Sequence, residues 1–277
     1  MCQINALGYL GIFLSFLISC ASCSDNSTSP PPSQTPIPTM ENIWPAIDGN
    51  SWTFEVAESV FDEGWPLFDT MEDLPDLPSL EELYEELQQP CSGSVFDSGS
   101  AILSIAFHNP VENGSLTVFD VDFDLAGIDD TYAYPPFPLL LGITWVQGDE
   151  EIYCMDEMGL DWQYAQETLQ PGHEFTVAIG TNVDSEITLT TRIWSIGDFT
   201  VGDRQYDNCL ECFYLMNVGL VHGTDENGNP TGIARIFSYG VIIYAPGTGP
   251  VLAHEKWLGG PDVVVEKTAV LTTNTKK

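Results

Sequence analysis

The sequence predicts a mainly β protein, an antiparallel sheet sandwich or a curved half-barrel with one short inserted helix near residues 79–89. Two observations support this fold class: most of the chain alternates apolar and polar residues with a period of two, and only one segment has helical periodicity. With 277 residues, 43% of them hydrophobic, the chain can bury a sizeable core. Eight strands are predicted, over residues 51–56, 101–107, 115–125, 174–180, 186–196, 210–220, 232–243 and 263–271.

Glycine-containing turns separate several of these strands. Asp48-Gly49-Asn50 precedes the first strand, and Glu112-Asn113-Gly114 joins the second strand to the third. Residues 147–149 and 225–229 have a similar composition. Gly and Asn tolerate the positive φ angles of tight turns, so these sequences favour hairpins and an antiparallel sheet.

The predicted helix begins after Ser79, which can act as the N-cap. Glu82 stands three residues later and completes a capping box. Apolar side chains then recur on one face of the helix, at Leu80, Leu83, Tyr84 and Leu87. This stripe predicts a helix that packs on a sheet, with a lid over a cavity as the alternative.

The N-terminus carries a targeting signal. An apolar run from Leu7 to Ser19 ends in Leu17-Ile18-Ser19-Cys20, which resembles a bacterial lipobox. The run is shorter than the ~20 residues of a membrane-spanning helix and fits a signal peptide over residues 1–19. The resemblance implies cleavage before Cys20 and lipidation of that residue, whereas an ordinary cleaved signal is the alternative. Cys23 is a second candidate, but it lacks the apolar residue three positions upstream.

Residues 20–41 are rich in Ser and Pro and offer almost nothing to bury, which predicts a disordered tether. A β-rich domain follows over residues 42–277. The pattern P-x-x-x-G-x-[S/T]-W occurs at both 45–52 and 138–145. This repetition suggests two related halves with a boundary near residues 130–137.

The charge is extreme: 7 Lys and Arg stand against 41 Asp and Glu, and residues 1–191 contain neither Lys nor Arg. Such a chain would repel phosphate backbones, so nucleic acid is excluded as a partner. Two interpretations stay open. The acidic surface either keeps the protein soluble in a saline habitat or binds divalent cations such as Ca²⁺, which prefers carboxylate oxygens. If the carboxylates mainly repel one another, added salt should stabilise the fold.

Asp120, Asp122 and Asp124 alternate with apolar residues in a predicted strand, so their carboxylates should project from one face about 7 Å apart. That spacing fits a solvated face, a shared cation or, less directly, the acid–base pair of a glycosidase. They are the candidate metal ligands, and Ca²⁺ is the one cofactor that the sequence suggests.

Four cysteines, Cys91, Cys154, Cys209 and Cys212, fall in the predicted domain and are disulfide candidates in an oxidising compartment. Cys209 and Cys212 are three positions apart in a predicted strand. Their side chains should therefore point to opposite faces and form separate disulfides rather than bond each other. A zinc site or a redox CxxC motif is the alternative.

Three motifs connect the sequence to a family. They are the Gly49-Asn50-Ser51-Trp52 start of the first strand, the segment 196–210, and the closing segment 244–251, which reads YAPGTGPV. Together they resemble uncharacterised secreted bacterial lipoproteins. The resemblance implies a β fold and an envelope location, and it assigns no site residue.

The sequence thus predicts a lipid-anchored, acidic envelope lipoprotein with a non-enzymatic binding or structural role, in the outer membrane or at the cell surface. No catalytic motif of a known class is present. The alternatives are a secreted carbohydrate-active hydrolase, a glycan-binding protein in which Trp65 is the best candidate for an exposed ring, and a lipid-carrying half-barrel. Expected partners are the membrane, through the anchor, and a glycan or another envelope protein.

Overall fold

The computed structural model describes residues 38–62, 67–114, 116–126, 144–147, 151–155, 161–166, 169–181, 186–224, 230–260 and 263–276. All of them belong to one compact unit, residues 35–277. The predicted signal peptide and most of the predicted tether lie outside the described residues.

Within the described residues, twelve strands form one open antiparallel sheet, which confirms the predicted fold class. The strands are β1 (Ser51–Asp62), β2 (Ser94–Asn113), β3 (Leu116–Ala126), β4 (Thr144–Gln147), β5 (Glu151–Met155), β6 (Asp161–Gln166), β7 (Glu174–Thr181), β8 (Glu186–Val201), β9 (Arg204–Thr224), β10 (Pro230–Ala245), β11 (Gly249–Gly260) and β12 (Val263–Thr275). Their order across the sheet is β6-β5-β4-β3-β2-β1-β12-β11-β10-β9-β8-β7.

Strands that are neighbours in the sheet are consecutive in the chain, with one long-range exception. β1 pairs with β12, so the first and last strands lie side by side in the middle of the sheet. β6 and β7, which are consecutive in the chain, form the two edges. Eleven antiparallel pairings hold this arrangement, and all but β1 with β12 join strands that follow each other in sequence.

The sheet is curved, because side chains from strands far apart in its order meet on one face. Phe119 of β3 contacts the same buried cluster as Leu189 of β8. We call this the inner cluster. Tyr214 and Met216 of β9 belong to it together with Cys212, as the alternation in β9 predicts.

The opposite, outer face is covered by the predicted helix. Phe213 of β9 points outward and packs with Leu80, Leu83 and Leu87 of α2 (Leu80–Leu87). We call this second group the helix cluster. Its other members are Phe61, Leu215, Phe237, Tyr239, Leu258 and Val264. The helix therefore packs on the sheet, and it lies on the wrong face to act as a lid over the interior.

The start of α2 has the predicted capping box. The Ser79 hydroxyl accepts from the backbone N–H of Glu82, and the Glu82 carboxylate accepts from the backbone N–H of Ser79 at 2.8 Å. These bonds satisfy two donors that a helix start leaves free. A short helix α1 (Met40–Ile43) and a 3₁₀ turn (Met71–Asp73) complete the helical residues of the described chain. No helix in the described residues is long and apolar enough to cross a bilayer.

The chain enters the sheet at one end, where four aromatic rings of the inner cluster meet. Trp44 lies perpendicular to Trp52 at 5.8 Å between ring centroids, and both rings contact Phe107. Tyr244 completes the group, which we call the aromatic end. Trp52 belongs to the core, since 1% of its surface is exposed.

The aromatic end also joins two of the motifs noted in the sequence. The Trp52 Nε1–H donates to the carbonyl of Thr248 at 2.6 Å, which connects the start of β1 to the closing segment 244–251. A Cβ on Gly249 would lie 2.8 Å from that nitrogen, and Gly249 has φ +97°. Only glycine suits this position, because the backbone is left-handed and the indole is in close contact.

Candidate functional site

The three predicted metal ligands lie on β3, on the outer face of the sheet. Asp120, Asp122 and Asp124 are exposed, while the intervening Val121 is buried in the inner cluster. The period-two prediction for this strand is therefore confirmed. Pairing with β2 sets Asp120 opposite His108, so carboxylates and an imidazole share one surface.

An irregularity in β2 shapes this surface into an open groove lined by His108, Asn109, Asp120, Val121 and Asp122. The register of β2 against β3 shifts after His108, and Asn109 adopts a left-handed φ of 51°. β-Bulges of this kind bend a strand and redirect its side chains. We call these residues the acidic groove.

In the acidic groove, Asp120 and Asp122 each have a polar side chain as a contact. The Asn109 side-chain amide donates to Asp120 Oδ2 at 3.0 Å, and His108 Nε2 lies 3.3 Å from Asp122 Oδ2. The Asp122 side chain is 83% exposed and that of His108 is 39% exposed. Water therefore screens both contacts, and we expect each to stabilise the fold by less than about 1 kcal/mol.

The groove does not show a preformed metal centre. Among the described residues, no three His, Cys, Asp or Glu side chains gather closely enough to hold a metal ion. Asp124 lies further along β3, opposite Ser104. The Ca²⁺ site at Asp120, Asp122 and Asp124 therefore stays a prediction.

The predicted disulfides are not seen among the described side chains of Cys91, Cys209 and Cys212. Cys209 and Cys212 both contact the inner cluster, whereas Cys91 packs against the helix cluster on the other side of the sheet. The sheet separates Cys91 from the other two thiols. The side chain of Cys154, in β5, lies outside the described residues.

Cys209, Leu210 and Cys212 all contact the inner cluster, and the opposite orientation of the two thiols stays a prediction. Burial raises the pKa of both thiols to about 12. Neither is a ready nucleophile at neutral pH.

A group of polar contacts lies under α2. Glu211 of β9 is 7% exposed, and its carboxylate accepts from the Tyr84 hydroxyl and from the Ser195 hydroxyl, each at 2.6 Å. The Tyr84 ring stacks on Trp194 with 4.0 Å between centroids. Burial and the bond to Glu211 raise the pKa of Tyr84, so its hydroxyl remains a donor at neutral pH.

Scarce cations hold both ends of α2. Arg192 bonds Glu81 in the first turn and lies over the Trp194 ring, 5.0 Å from its centroid. At the other end, Lys256 Nζ donates to the carbonyls of Glu86 and Gln89 at 2.9 and 2.7 Å. A cation at these carbonyls satisfies acceptors that the helix leaves free and complements its dipole.

A second ionic pair lies beside the end of α2. His254 Nε2 is 2.8 Å from Glu266 Oε1, and the Cys91 thiol approaches the other oxygen of Glu266 at 3.9 Å. Burial by itself would raise the pKa of Glu266. The hydrogen bond and charge of His254, with Lys256 nearby, outweigh burial and hold the pKa of Glu266 below its usual value.

The inner face carries a buried ion pair of its own. Lys267 Nζ of β12 lies 3.2 Å from Glu58 Oε2 of β1, and both side chains are less than a tenth exposed. Glu255 of β11, also buried, stands opposite Lys267 in the adjacent ladder. Burying these charges costs free energy unless they stay paired, so the three residues depend on each other.

Several predicted positions fall outside the described residues: Cys20, Cys23, Trp65 and the second copy of the tryptophan pattern up to Ile143. Conversely, sequence reasoning did not find Glu211, Lys256 or His254 as members of a site. Only Lys256 carried a signal in the sequence, since Lys and Arg are so rare that each one marks a place where a positive charge is needed.

Comparison with known proteins gives no match in sequence and only weak similarity in structure. No protein-family model matches the sequence, and no curated protein does. The crystal structure of a candidate lipoprotein from Parabacteroides distasonis has a TM-score of 0.40 at 10% identity, over 84% of this chain and 98% of that one. A candidate exported protein with a YmcC-like fold from Bacteroides fragilis gives 0.39 at 12%, over 85% and 99%. These values assign neither a family nor a function.

Proposed function

We propose that the protein is a lipid-anchored, acidic lipoprotein of the cell envelope that binds or supports other envelope components without catalysis. The observation that carries the proposal is the way in which the tether meets the domain. The predicted anchor at Cys20 leads into a chain that becomes fixed at one end of the sheet, from Asn42 onward.

That attachment is firm. The carbonyl of Asn42 accepts from the backbone N–H of Gly247 at 2.7 Å, and Trp44 is buried with 1% of its surface exposed. The next residues are held as well, since the Asn50 side-chain amide donates to the carbonyl of Pro45 at 3.0 Å. A lipid at Cys20 would therefore restrain the aromatic end of the domain rather than a loose loop.

The strand directions then define which end points away from the anchor. β1 runs from the aromatic end to Asp62, and β12 returns from Val263, so these residues mark the distal end. The segment that leads to α2 is fixed near this end, where the backbones of Phe68 and Ile233 exchange two hydrogen bonds. The distal end and the faces of the sheet are therefore the surfaces that lie away from the attachment of the tether, where a partner in the envelope would bind.

The acidic groove favours binding over hydrolysis. A glycosidase needs one carboxyl group in an apolar environment so that it stays protonated as the acid. Asp120 and Asp122 are instead both exposed, on the solvent side of the sheet. For carbohydrate binding through tryptophan, Tyr84 and Arg192 already cover the Trp194 ring, which leaves little of that ring for a sugar.

Membrane fractionation of a Cys20→Ser variant tests the anchor. We expect the wild-type protein in the membrane fraction and the variant in the soluble envelope fraction, because stable anchoring needs two or more acyl chains. Cys23→Ser is the matched control and should stay with the membrane. Retention of Cys20→Ser in the membrane, with Cys23→Ser released, would move the anchor to Cys23; retention of both would contradict a lipid anchor.

A further inference from the structure

The attachment of α2 depends on carboxylates acting as acceptors. Glu211 accepts from Tyr84 and Ser195, and Glu86 accepts from the Tyr239 hydroxyl at 2.8 Å. In each bond the donor is a neutral hydroxyl. Hydroxyl bonds to an ionised carboxylate are stronger than bonds between neutral groups, so much of their strength comes from the negative charge.

Glu211 is the acceptor at the centre of this attachment. Both of its oxygens are used, one by the helix through Tyr84 and one by the sheet through Ser195. Among the described residues it has no salt bridge, since its two bonds are both to hydroxyls. Protonation would turn one oxygen into a donor that faces another donor, which weakens both bonds at once.

Other charged and titratable groups surround this junction. From α2 they are Tyr84, Glu81 and Glu86; β8 contributes Arg192, β9 contributes Cys212 and β10 contributes Tyr239. Arg192 is held by Glu81 and by Glu174, 3.9 Å away. Because the hydrogen bond to Arg192 lowers the pKa of Glu81, this attachment is lost only in more acidic solution, and its loss acts in the same direction as protonation of Glu211.

The sheet beneath has no such dependence where it is held by ladder hydrogen bonds and by the inner cluster. An isolated helix of eight residues is marginal in water, so α2 would lose its structure once it left the sheet. Local opening of a segment ahead of global unfolding is a general property of proteins.

We propose that α2 is an acid-released cover: protonation of Glu211 detaches the helix from the outer face while the twelve-stranded sheet stays folded. In an envelope exposed to external pH, acidification would then uncover the apolar side chains of the helix cluster. This device is independent of the anchor, so it holds or fails separately from the function proposed above.

Hydrogen exchange on the mature full-length chain in detergent micelles tests the proposal, with intrinsic rates corrected at pH 7 and pH 3. We expect the protection of amides in residues 80–89 to fall about tenfold or more at pH 3, while amides of β2 in residues 101–107 keep their protection. Loss of protection in α2 and in the sheet at the same pH would overturn the proposal, as would no change in α2.

Variants locate the effect. Glu211→Gln keeps the size of the side chain but loses the charge, so α2 should already be less protected at pH 7 and respond less to acid. Glu55→Gln, on an exposed position of β1, is the matched control and should behave as wild type. If Glu211→Gln does not fold, Tyr84→Phe removes one donor and should loosen α2 at pH 7. A wild-type pH response in either Glu211→Gln or Tyr84→Phe would contradict the proposal.

Discussion

The aromatic end and the helix cluster are both buried parts of one sheet, yet they are held in different ways. The aromatic end is held by packing of the Trp44, Trp52 and Phe107 rings, whose centroids are 5.2 to 5.8 Å apart. In the helix cluster, apolar burial is combined with charged attachments through Arg192 and Lys256.

The comparison shows where this very acidic chain places its few Lys and Arg residues. The aromatic end needs none, because packing and one indole hydrogen bond are enough. The inserted helix is short and rich in glutamate, so it requires positive charge at both ends. We therefore expect the aromatic end to respond to changes of volume and the helix cluster to changes of charge.

The largest effect should come from Trp52→Ala. Removing a fully buried indole leaves a cavity and an unmatched Thr248 carbonyl, and we expect a loss of about 3–5 kcal/mol in the free energy of unfolding. Urea denaturation measures it. Trp194→Ala, on the half-buried outer face, is the control and should cost clearly less. Equal losses would mean that the aromatic end is no more tightly packed than the outer face.

Lys256→Met should have the next largest effect. The methionine keeps much of the buried volume but leaves the carbonyls of Glu86 and Gln89 without their donor, and hydrogen bonds to charged groups contribute about 1.5–3 kcal/mol. We expect α2 to loosen while the sheet stays folded, as seen by circular dichroism and hydrogen exchange. Lys276→Met, on an exposed residue, should leave both unchanged; an intact α2 in Lys256→Met would refute the capping role.

A smaller effect should follow from His254→Gln and should depend on pH. The pKa of Glu266 is lowered in the folded state from its usual 4.5, so its ionised form adds stability above about pH 4.5 that is lost as pH falls through the folded value. Removing the imidazole should reduce that contribution. The difference in urea midpoint between wild type and variant should therefore shrink below pH 4.5. A difference that is constant from pH 7 to pH 3 would show that Glu266 is not involved.

The smallest effect concerns salt, which should act on the exposed surface rather than on either buried cluster. Two carboxylates ~8 Å apart repel by about 0.5 kcal/mol in water, and the Debye length is ~8 Å at 0.15 M salt. We expect NaCl to raise the melting temperature modestly. A larger rise with Ca²⁺ at matched ionic strength, abolished in Asp122→Asn, would identify a real site in the acidic groove; equal rises would indicate screening alone.

Strands were easiest to predict from the sequence where one face is buried and the other is exposed to solvent. The strand of Asp120 and Asp122 alternates cleanly and was predicted. β11 was not, because it carries Glu255 and Lys256 at buried positions on both faces. Its outer side lies under α2 and its inner side places Glu255 opposite Lys267 of β12, so the usual alternation is absent. β4, β5 and β6 are short and were also missed.

The local motifs were easier to predict than the contacts between them. The capping box of Ser79 and Glu82 spans three residues and could be read directly. By contrast, Tyr84 and Glu211 are 127 positions apart, and Asn109 reaches Asp120 only because of a bulge. Such contacts depend on sheet curvature and ladder register, which one sequence does not specify.

The pairing of β1 with β12 has a consequence for how the chain folds. β1 follows soon after the predicted anchor, yet one of its two ladder partners is the last strand to be made. The centre of the sheet therefore cannot form until β12 is present. Contacts between distant parts of a sequence slow folding because a long loop must close first. During that interval the sheet of an anchored chain would be only partly formed, with β1 paired to β2 on one side and unpaired on the other.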